Sequence, residues 1–264
     1  GRAWFLKWNR HTPDGMFAAE ADGLAALAEA GAPELRVPEV IASSERPEGL
    51  GWLLLEHLEP ARPGEASDWG VDLGRALARM HRAPATAGAP AGWGWSRSNF
   101  IGRLPQANAP TGSWADFWRE RRIEPQLRLA VDRGLVEGTD RDDCARLLRE
   151  MEALLTDVDD TPPSLLHGDL WGGNAMATED GRPAIYDPAA YRGHREVDLA
   201  MSELFGFPTD FLPAYREAWP VPETYDRGRR DLYQLYYLLV HVNLFGSGYL
   251  VRTRTAVRRV LSAL

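Results

Sequence analysis

Apolar residues recur along this chain with two different periods. The opening AWFLKWN is short, apolar and aromatic and predicts a strand, in which Phe5 and Lys7, two positions apart, share one face. From Asp14 to Ala30 the period lengthens: Phe17, Ala21, Leu24, Leu27 and Ala28 recur at helical spacing, and Gly31 and Pro33 end the run. GLGWLLLEHLE is a continuous apolar run bounded by glycines and a proline, the pattern of a buried strand that then leaves its sheet. Residues 1–58 therefore read as strand, helix, strand.

Beyond the break ARPGEAS the helical period dominates. Val71, Leu73, Ala76, Leu77 and Met80 predict a second amphipathic helix that stops near Pro84, and a stretch rich in Gly, Ala and Pro follows. Ser113 and Asp116 form a capping-box-like start to a helix that Pro125 should kink, and Leu147, Leu148, Met151, Leu154 and Leu155 mark another before Pro162 and Pro163. Two short runs, Asn174 to Thr178 and Pro183 to Asp187, flank the turn EDGR, and Asp-Gly between apolar runs signals a β-hairpin. Glu196 to Leu264 reads as three or four helices. The expected architecture is α+β and two-lobed: a small β-containing N-lobe over 1–58 and a larger, mainly helical lobe over 59–264 that carries the hairpin, with a cleft for chemistry.

Composition narrows the function classes. With 264 residues, 44% of them hydrophobic, the chain can bury a sizeable core. The 30 Lys and Arg against 38 Asp and Glu leave a net charge of -8, which attracts neither nucleic acid nor an anionic membrane, and RERR at 119–122 is too short to make a basic patch. Its single cysteine, Cys144, excludes an internal disulfide and a cysteine metal cluster, and reads as a buried thiol in a reducing cytoplasm. Neither a signal-peptide core nor an apolar run long enough to span a bilayer is present, so secretion and membrane insertion are not expected.

The most informative segment is LLHGDLWGGN at 165–174, followed by the hairpin that ends in YDPA. A kinase-type catalytic loop places a His two residues before an Asp and an Asn five residues after it, and a metal-binding Asp closes the next hairpin. Here these are His167, Asp169, Asn174 and Asp187. Phosphoryl transfer needs one carboxylate to accept the acceptor hydroxyl's proton and oxygen ligands to hold Mg²⁺ against the phosphates. Asp169 is thus the candidate base, and Asn174 and Asp187 the candidate metal ligands. Singly, each of these is an ordinary polar turn; their order and spacing around a hairpin carry the assignment. Lys7 on the first strand and Glu20 on the following helix match the phosphate-contacting lysine and its glutamate partner. The strand LLLEHL then becomes the segment whose backbone at Glu56 and Leu58 meets adenine. After YDPA the chain enters a helix directly, without the long activation segment of a protein kinase.

FLKWN, the helix MF-x-x-EADGL, SNFIG with PQAN, HGDLWGGN, YDPAAYRGHREVDLAMSELFG and LYQLYYLLVHVNLFG together resemble the fructosamine kinase (ketosamine-3-kinase) family over nearly the whole chain. The resemblance implies a protein-kinase-like fold of the aminoglycoside-phosphotransferase type, ATP and Mg²⁺ as co-substrates, and a small-molecule sugar-amine adduct, free or protein-linked, as acceptor. Phosphorylation at the sugar 3-hydroxyl destabilises such an adduct, so a deglycation role is implied. It also implies Asp169 as base, Asn174 and Asp187 on metal, and Lys7 with Glu20 as the nucleotide-anchoring pair. Trp171 beside the base is placed to stack on a sugar face, and His194, Arg195 and Glu196 to line the acceptor pocket, against an alternative in which His194 and Arg195 brace a loop. Asp198 is expected to brace the catalytic loop, and His241 and Asn243 to be satisfied core polar groups. Asn99, Gln106 and Asn108 can reach an acceptor or be solvated loop residues.

A kinase of this type opens with two strands joined by a glycine-rich loop, whereas this chain opens at the lysine strand. The N-lobe is incomplete in this sense, and the expectation is that the segment is disordered or truncated. Two alternatives stay open at this point: a phosphotransferase for another hydroxyl compound, such as an aminoglycoside, choline or a homoserine-like metabolite, or a non-catalytic nucleotide-binding protein. Oligomeric state is not encoded in any of these patterns.

Overall fold

A computed structural model of the chain describes residues 2–44, 50–62, 64–66, 68–85 and 92–264. Pro63 and Ser67 of the ARPGEAS break, and residues 86–91 of the Gly, Ala and Pro-rich stretch, lie outside the described residues. The chain divides into two compact units, one of 1–89, 164–191 and 205–220, the other of 90–163, 192–204 and 221–264.

The first unit begins with β1 (Trp4–Asn9), α1 (Met16–Ala30), β2 (Val40–Ser44) and β3 (Gly51–Glu56). The three strands form an antiparallel sheet in the order β1-β3-β2, with Phe5 opposite Leu55 and Lys7 opposite Leu53. Residues directly opposite in an antiparallel pair share a face. Phe5 and Lys7 therefore lie on the face of Leu53 and Leu55, which pack with Phe17 and Leu24 of α1 in one buried cluster. Lys7 thus shares the face of Phe5, as the two-residue spacing predicts, and points toward α1. β2 has no counterpart in the sequence reading: VIASS is short and weakly apolar, and it pairs with β3 through an irregularity between Val40 and Ala42. Of the predicted helix positions, Phe17, Leu24 and Leu27 are buried, Ala21 is half-buried and Ala28 faces solvent.

α2 (Trp69–Arg82) buries Leu73, Ala76, Leu77 and Met80, as its period predicts, and packs along α7 (Phe211–Ala218). β6 (Ser164–Leu166) leads into the HGD segment. The expected hairpin forms from β7 (Ala175–Ala177) and β8 (Pro183–Ile185), with Ala175 opposite Ile185. Both of its outer edges are also paired: Arg36 bridges to Ala184, and Pro60 bridges to Thr178.

The second unit contains the hairpin β4 (Asn99–Ile101) and β5 (Leu104–Gln106), then α3 (Trp114–Trp118), α4 (Glu124–Asp132), α5 (Gly138–Glu150), α6 (Glu196–Ser202), α8 (Arg230–Phe245) and α9 (Leu250–Ala263); β9 (Tyr191–Gly193) crosses the boundary. Four helices after Glu196 agree with the sequence reading. Ser113 caps α3, its Oγ accepting the Asp116 N–H. A wide turn over Arg119–Ile123 joins α3 to α4, just ahead of Pro125. A proline crowds the carbonyl four residues earlier, and that carbonyl, of Arg121, instead accepts a hydrogen bond from the Arg122 side chain at 3.0 Å. α8 is buried nearly all round and packs on α4, α6 and α9. Cys144 is buried, and burial with Asp140 and Asp143 nearby pushes its thiol up to about 12, so it carries no thiolate chemistry near neutrality.

Candidate active site

Every group of the central motif belongs to the first compact unit. Gly168 sits at φ 80° with its α-carbon so close to the Ala189 carbonyl that a Cβ would lie 2.2 Å from that oxygen, which explains the glycine of HGD. His167 is fully buried. Its Nδ1 accepts the Asp169 N–H at 3.2 Å, and its Nε2 donates to the Tyr186 carbonyl at 2.9 Å. One imidazole, in one tautomer, thereby joins the Asp169 loop to the residue before Asp187.

Asn174 closes the arrangement. Its Nδ2 donates to the Asp169 carbonyl at 2.9 Å and to Asp169 Oδ2 at 3.2 Å, with the Asp187 carbonyl at 3.4 Å. Three oxygens around one nitrogen define the amide's orientation and direct Oδ1 away from them, where it can ligate a cation. Asp187 has φ 58°, the one positive φ outside glycine among the described residues. Such a conformation is strained for an aspartate and persists where the surroundings enforce it.

Lys7 Nζ lies 2.8 and 2.9 Å from the two Glu20 carboxylate oxygens and 2.9 Å from Asp187 Oδ1. The sequence paired Lys7 with Glu20; Asp187 as a second partner, 180 positions away, had no local signal. Burial works against the ammonium, but Glu20 and then Asp187 outweigh it, and the lysine is held above its ordinary value. Burial pushes the Glu20 carboxyl up, Lys7 opposes this, and Asp187 adds to it. The two carboxylates thus hold the lysine up, whereas the rise at Glu20 comes first from burial.

Glu56 and Leu58 line a cleft of about 240 Å³ with Phe5, Pro38, Leu55, His57, Met176, Tyr186 and Asp187. Its largely apolar walls and the Asp187 carboxylate at one end suit a flat heterocycle with an anionic tail bound through a cation. The Glu56 carboxylate is already engaged by Arg36 at 2.5 Å, so the contribution of this residue to the cleft is its backbone and stem. Trp171 is partly exposed and folds back over Gly173, whose Cβ would meet the indole at 2.3 Å; the ring edge meets Phe205 with centroids 6.5 Å apart. Among the described residues no cluster of three or more His, Cys, Asp or Glu side chains could hold a metal alone. One carboxylate and one amide oxygen fit Mg²⁺, which keeps waters and takes its remaining ligands from a substrate's phosphates.

His194, Arg195 and Glu196 belong to the second unit, and all three are buried. His194 Nδ1 is 2.7 Å from the Tyr233 hydroxyl, which also accepts the Trp114 indole N–H. Glu196 is fully buried and gripped by Arg229, Nε to Oε2 at 2.6 Å and Nη2 to Oε1 at 3.0 Å, while Arg229 also binds Asp157 and Thr224. Asn99, Gln106 and Asn108, read as acceptor-facing or solvated, are buried instead: Asn99 Oδ1 accepts from Gln106 and Asn108, Arg122 donates to Asn108, and Tyr236 donates to Gln106. His241 Nδ1 bonds the Tyr237 carbonyl but the residue is only half-buried, and Asn243 is buried with Nδ2 donating to Gln126 while its Oδ1 has no partner among the described residues, so the expectation of satisfied core polar groups is met only in part. Asp198 is fully buried at the start of α6.

Against this geometry stand the likenesses to known proteins. The family model for fructosamine kinase matches residues 1–263. A Synechocystis protein named "probable ketoamine kinase" is 41% identical over 98% of this chain and 83% of its own. The chloroplastic protein-ribulosamine 3-kinase of Arabidopsis thaliana is 39% identical over 94% of this chain and 72% of its own. Among solved structures, a Thermobifida fusca protein described as a "putative fructosamine-3-kinase" superposes with a TM-score of 0.86 at 36% identity, covering 99% of this chain and 86% of that one. The aminoglycoside phosphotransferase APH(4)-Ia, at 17% identity and a TM-score of 0.67 over 100% of this chain and 87% of its own, shares the protein-kinase-like α+β fold. With the match running from the first residue almost to the last, the chain belongs to the fructosamine kinase family.

Proposed function

We propose that this protein phosphorylates a sugar hydroxyl of a ketosamine, with ATP as donor and Mg²⁺ as metal, in a deglycation role carried out in the cytoplasm. The observation that carries the reading is the meeting of Asp169, Asn174 and Asp187 on one hydrogen-bonded loop and hairpin, with the Lys7–Glu20 pair bonded to Asp187. The names of the relatives, ketoamine kinase and ribulosamine 3-kinase, support the acceptor class. No helix among the described residues is long and apolar enough to cross a membrane.

In this reading the backbone of Glu56 and Leu58 holds adenine in the apolar cleft, and Lys7 neutralises phosphate charge. Asn174 Oδ1 and the Asp187 carboxylate hold the metal, which when bound draws charge off the transferring phosphoryl oxygens. Asp169 orients the acceptor hydroxyl and takes its proton as the oxygen attacks, a contribution of roughly 10² to 10⁴-fold. Its backbone is fixed by His167 and its carboxylate by Asn174, so the base is presented without reorganisation. Trp171 offers the sugar a partly exposed aromatic face one turn of loop from the base. For Glu196 a bracing role is the better reading than the acceptor pocket, because both its carboxylate oxygens are bonded by Arg229 and one also faces His194 Nε2 at 3.8 Å. His194 likewise supports the aromatic cluster through Tyr233.

The test is an ATP-consumption and phosphorylation assay over a panel of ketosamines, aminoglycosides and amino alcohols. Turnover confined to ketosamines is expected; turnover confined to the other acceptors overturns the substrate class, and none at all overturns the enzyme.

A further inference from the structure

Arg36 lies between α1 and β2 in a segment with no predicted role, yet its side chain reaches Glu56 of the cleft and its backbone pairs with the strand that leads to Asp187. Its backbone joins β8, donating to the Pro183 carbonyl at 2.8 Å and accepting the Ile185 N–H at 3.0 Å. Two residues beyond Ile185 the chain reaches Asp187. Its guanidinium reaches in the other direction, Nη2 to Glu56 Oε1 at 2.5 Å, and Glu56 is the last residue of β3 and part of the cleft. Nη1 lies 3.5 Å from Asp180 Oδ2 in the hairpin turn, where Asp180 is also bonded to Arg182 and Thr178. Glu56 is held a second time, its N–H donating to the Glu39 carbonyl at 2.8 Å and its Oε2 accepting the Glu39 N–H at 3.3 Å. On the opposite hairpin edge, Ala61 N–H donates to the Ala177 carbonyl and Glu179 N–H to the Glu59 carbonyl. The hairpin that ends in Asp187 is thus clamped between the segments that flank the adenine-facing strand end, and the Arg36 side chain reaches from that strand end to the hairpin turn.

We propose that Arg36 is a positioning residue that sets the separation between the strand end at Glu56 and the metal-facing end of the hairpin at Asp187. The inference rests on the kinase reading of this cleft. ATP has a limited reach from its base to its β- and γ-phosphates, and productive transfer uses one bound conformation, so a protein that binds both ends must hold its two subsites at a matching distance. An error of about 1 Å is enough to cost on the order of 10²-fold in rate. Arg36 and Glu56 are both partly exposed, so their pair adds little to stability. Its effect is geometric: the planar guanidinium fork binds Glu56 with one nitrogen and faces Asp180 with the other, which a lysine point charge cannot reproduce.

The experiment measures binding of three probes, Mg·ATP, adenosine and Mg·tripolyphosphate, to the wild-type chain and to Arg36→Met, Arg36→Lys, Glu56→Gln and the Arg36→Met/Glu56→Gln double variant, with steady-state kinetics alongside. Arg36→Met is expected to weaken Mg·ATP by about tenfold or more while each half-ligand changes less than about twofold. KM for the ketosamine should stay unchanged, and the thermal midpoint should fall by no more than about 2–4 °C. Arg36→Lys should recover only part of the affinity, and the double variant should be no worse than the worse single one. Unchanged Mg·ATP affinity in Arg36→Met overturns the proposal, as does equal weakening of all three probes or a matched rise in KM for both substrates. A wild-type chain that binds no Mg·ATP removes the kinase reading and this inference together; a wild type that binds it, with an indifferent Arg36→Met, removes only the inference.

Discussion

Lys7 and Asp187, 180 positions apart in sequence, meet at 2.9 Å between Nζ and Oδ1, while the same ammonium is held by Glu20. One cation thus links the first strand, the first helix and the end of the hairpin. Lys7 thereby neutralises the carboxylate that the proposed function gives to the metal, and in that proposal the same charge would serve the phosphates of a bound nucleotide.

Lys7→Met should therefore raise KM for ATP by about tenfold or more and lower kcat, with KM for the acceptor little changed. The lysine also predicts a pH dependence. Its folded pKa is raised above the unfolded value, so the stability it contributes is complete below the ordinary lysine range and is lost as pH climbs through the raised value. Thermal midpoints followed from neutral into strongly alkaline pH should show this loss in the wild type and not in Lys7→Met.

Asp169→Ala should lower kcat by roughly 10² to 10⁴-fold and leave ATP affinity close to that of the wild type. Single-turnover kinetics beside nucleotide titration separates the two, and wild-type turnover in the variant would remove Asp169 as the base.

Asp187→Ala should abolish the Mg²⁺ dependence of nucleotide binding, and Asn174→Ala should shift the Mg²⁺ concentration needed for half-maximal rate upward. Titration of Mg²⁺ at fixed ATP reads both. A metal dependence unaltered in both variants would place the cation elsewhere.

Gly173→Ala places a methyl where the Trp171 indole lies, with 2.3 Å between its Cβ and the ring. The ring must move, so KM for the ketosamine should rise several-fold while KM for ATP holds. Trp171→Phe tests the same platform with Gly173 kept. Equal effects on both substrates would assign Trp171 to loop structure alone.

Glu196→Ala leaves the buried Arg229 without its principal partner and should cost about 3–5 kcal/mol of stability, the usual consequence of breaking a buried pair from one side. Denaturant unfolding gives the value. A loss confined to acceptor KM, with stability intact, would return Glu196 to the acceptor pocket.

Much of this was readable from local pattern, and the failures have local causes. The α1 and α2 stripes and the β7–β8 hairpin were visible because each carries its period or its turn signal within a dozen residues. β2, β4 and β5 were not, since strands of three to five residues with mixed character owe their existence to a partner elsewhere. Asn99, Gln106 and Asn108 looked like loop polarity because sequence shows side-chain chemistry and not its partners; burial with Arg122 and Tyr236 turned them into core.

The order and spacing of His167, Asp169, Asn174 and Asp187 are properties of a single short stretch, so the chain by itself determined the chemistry to expect there, and the pattern of Lys7 before Glu20 determined its first ion pair. Tertiary structure alone decided that Lys7 also reaches Asp187, that Arg36 spans from Glu56 to Asp180, and that Glu196 is consumed by Arg229. Each of those contacts joins residues far apart in the chain, and their energy depends on distance and burial, which no local stretch of sequence contains.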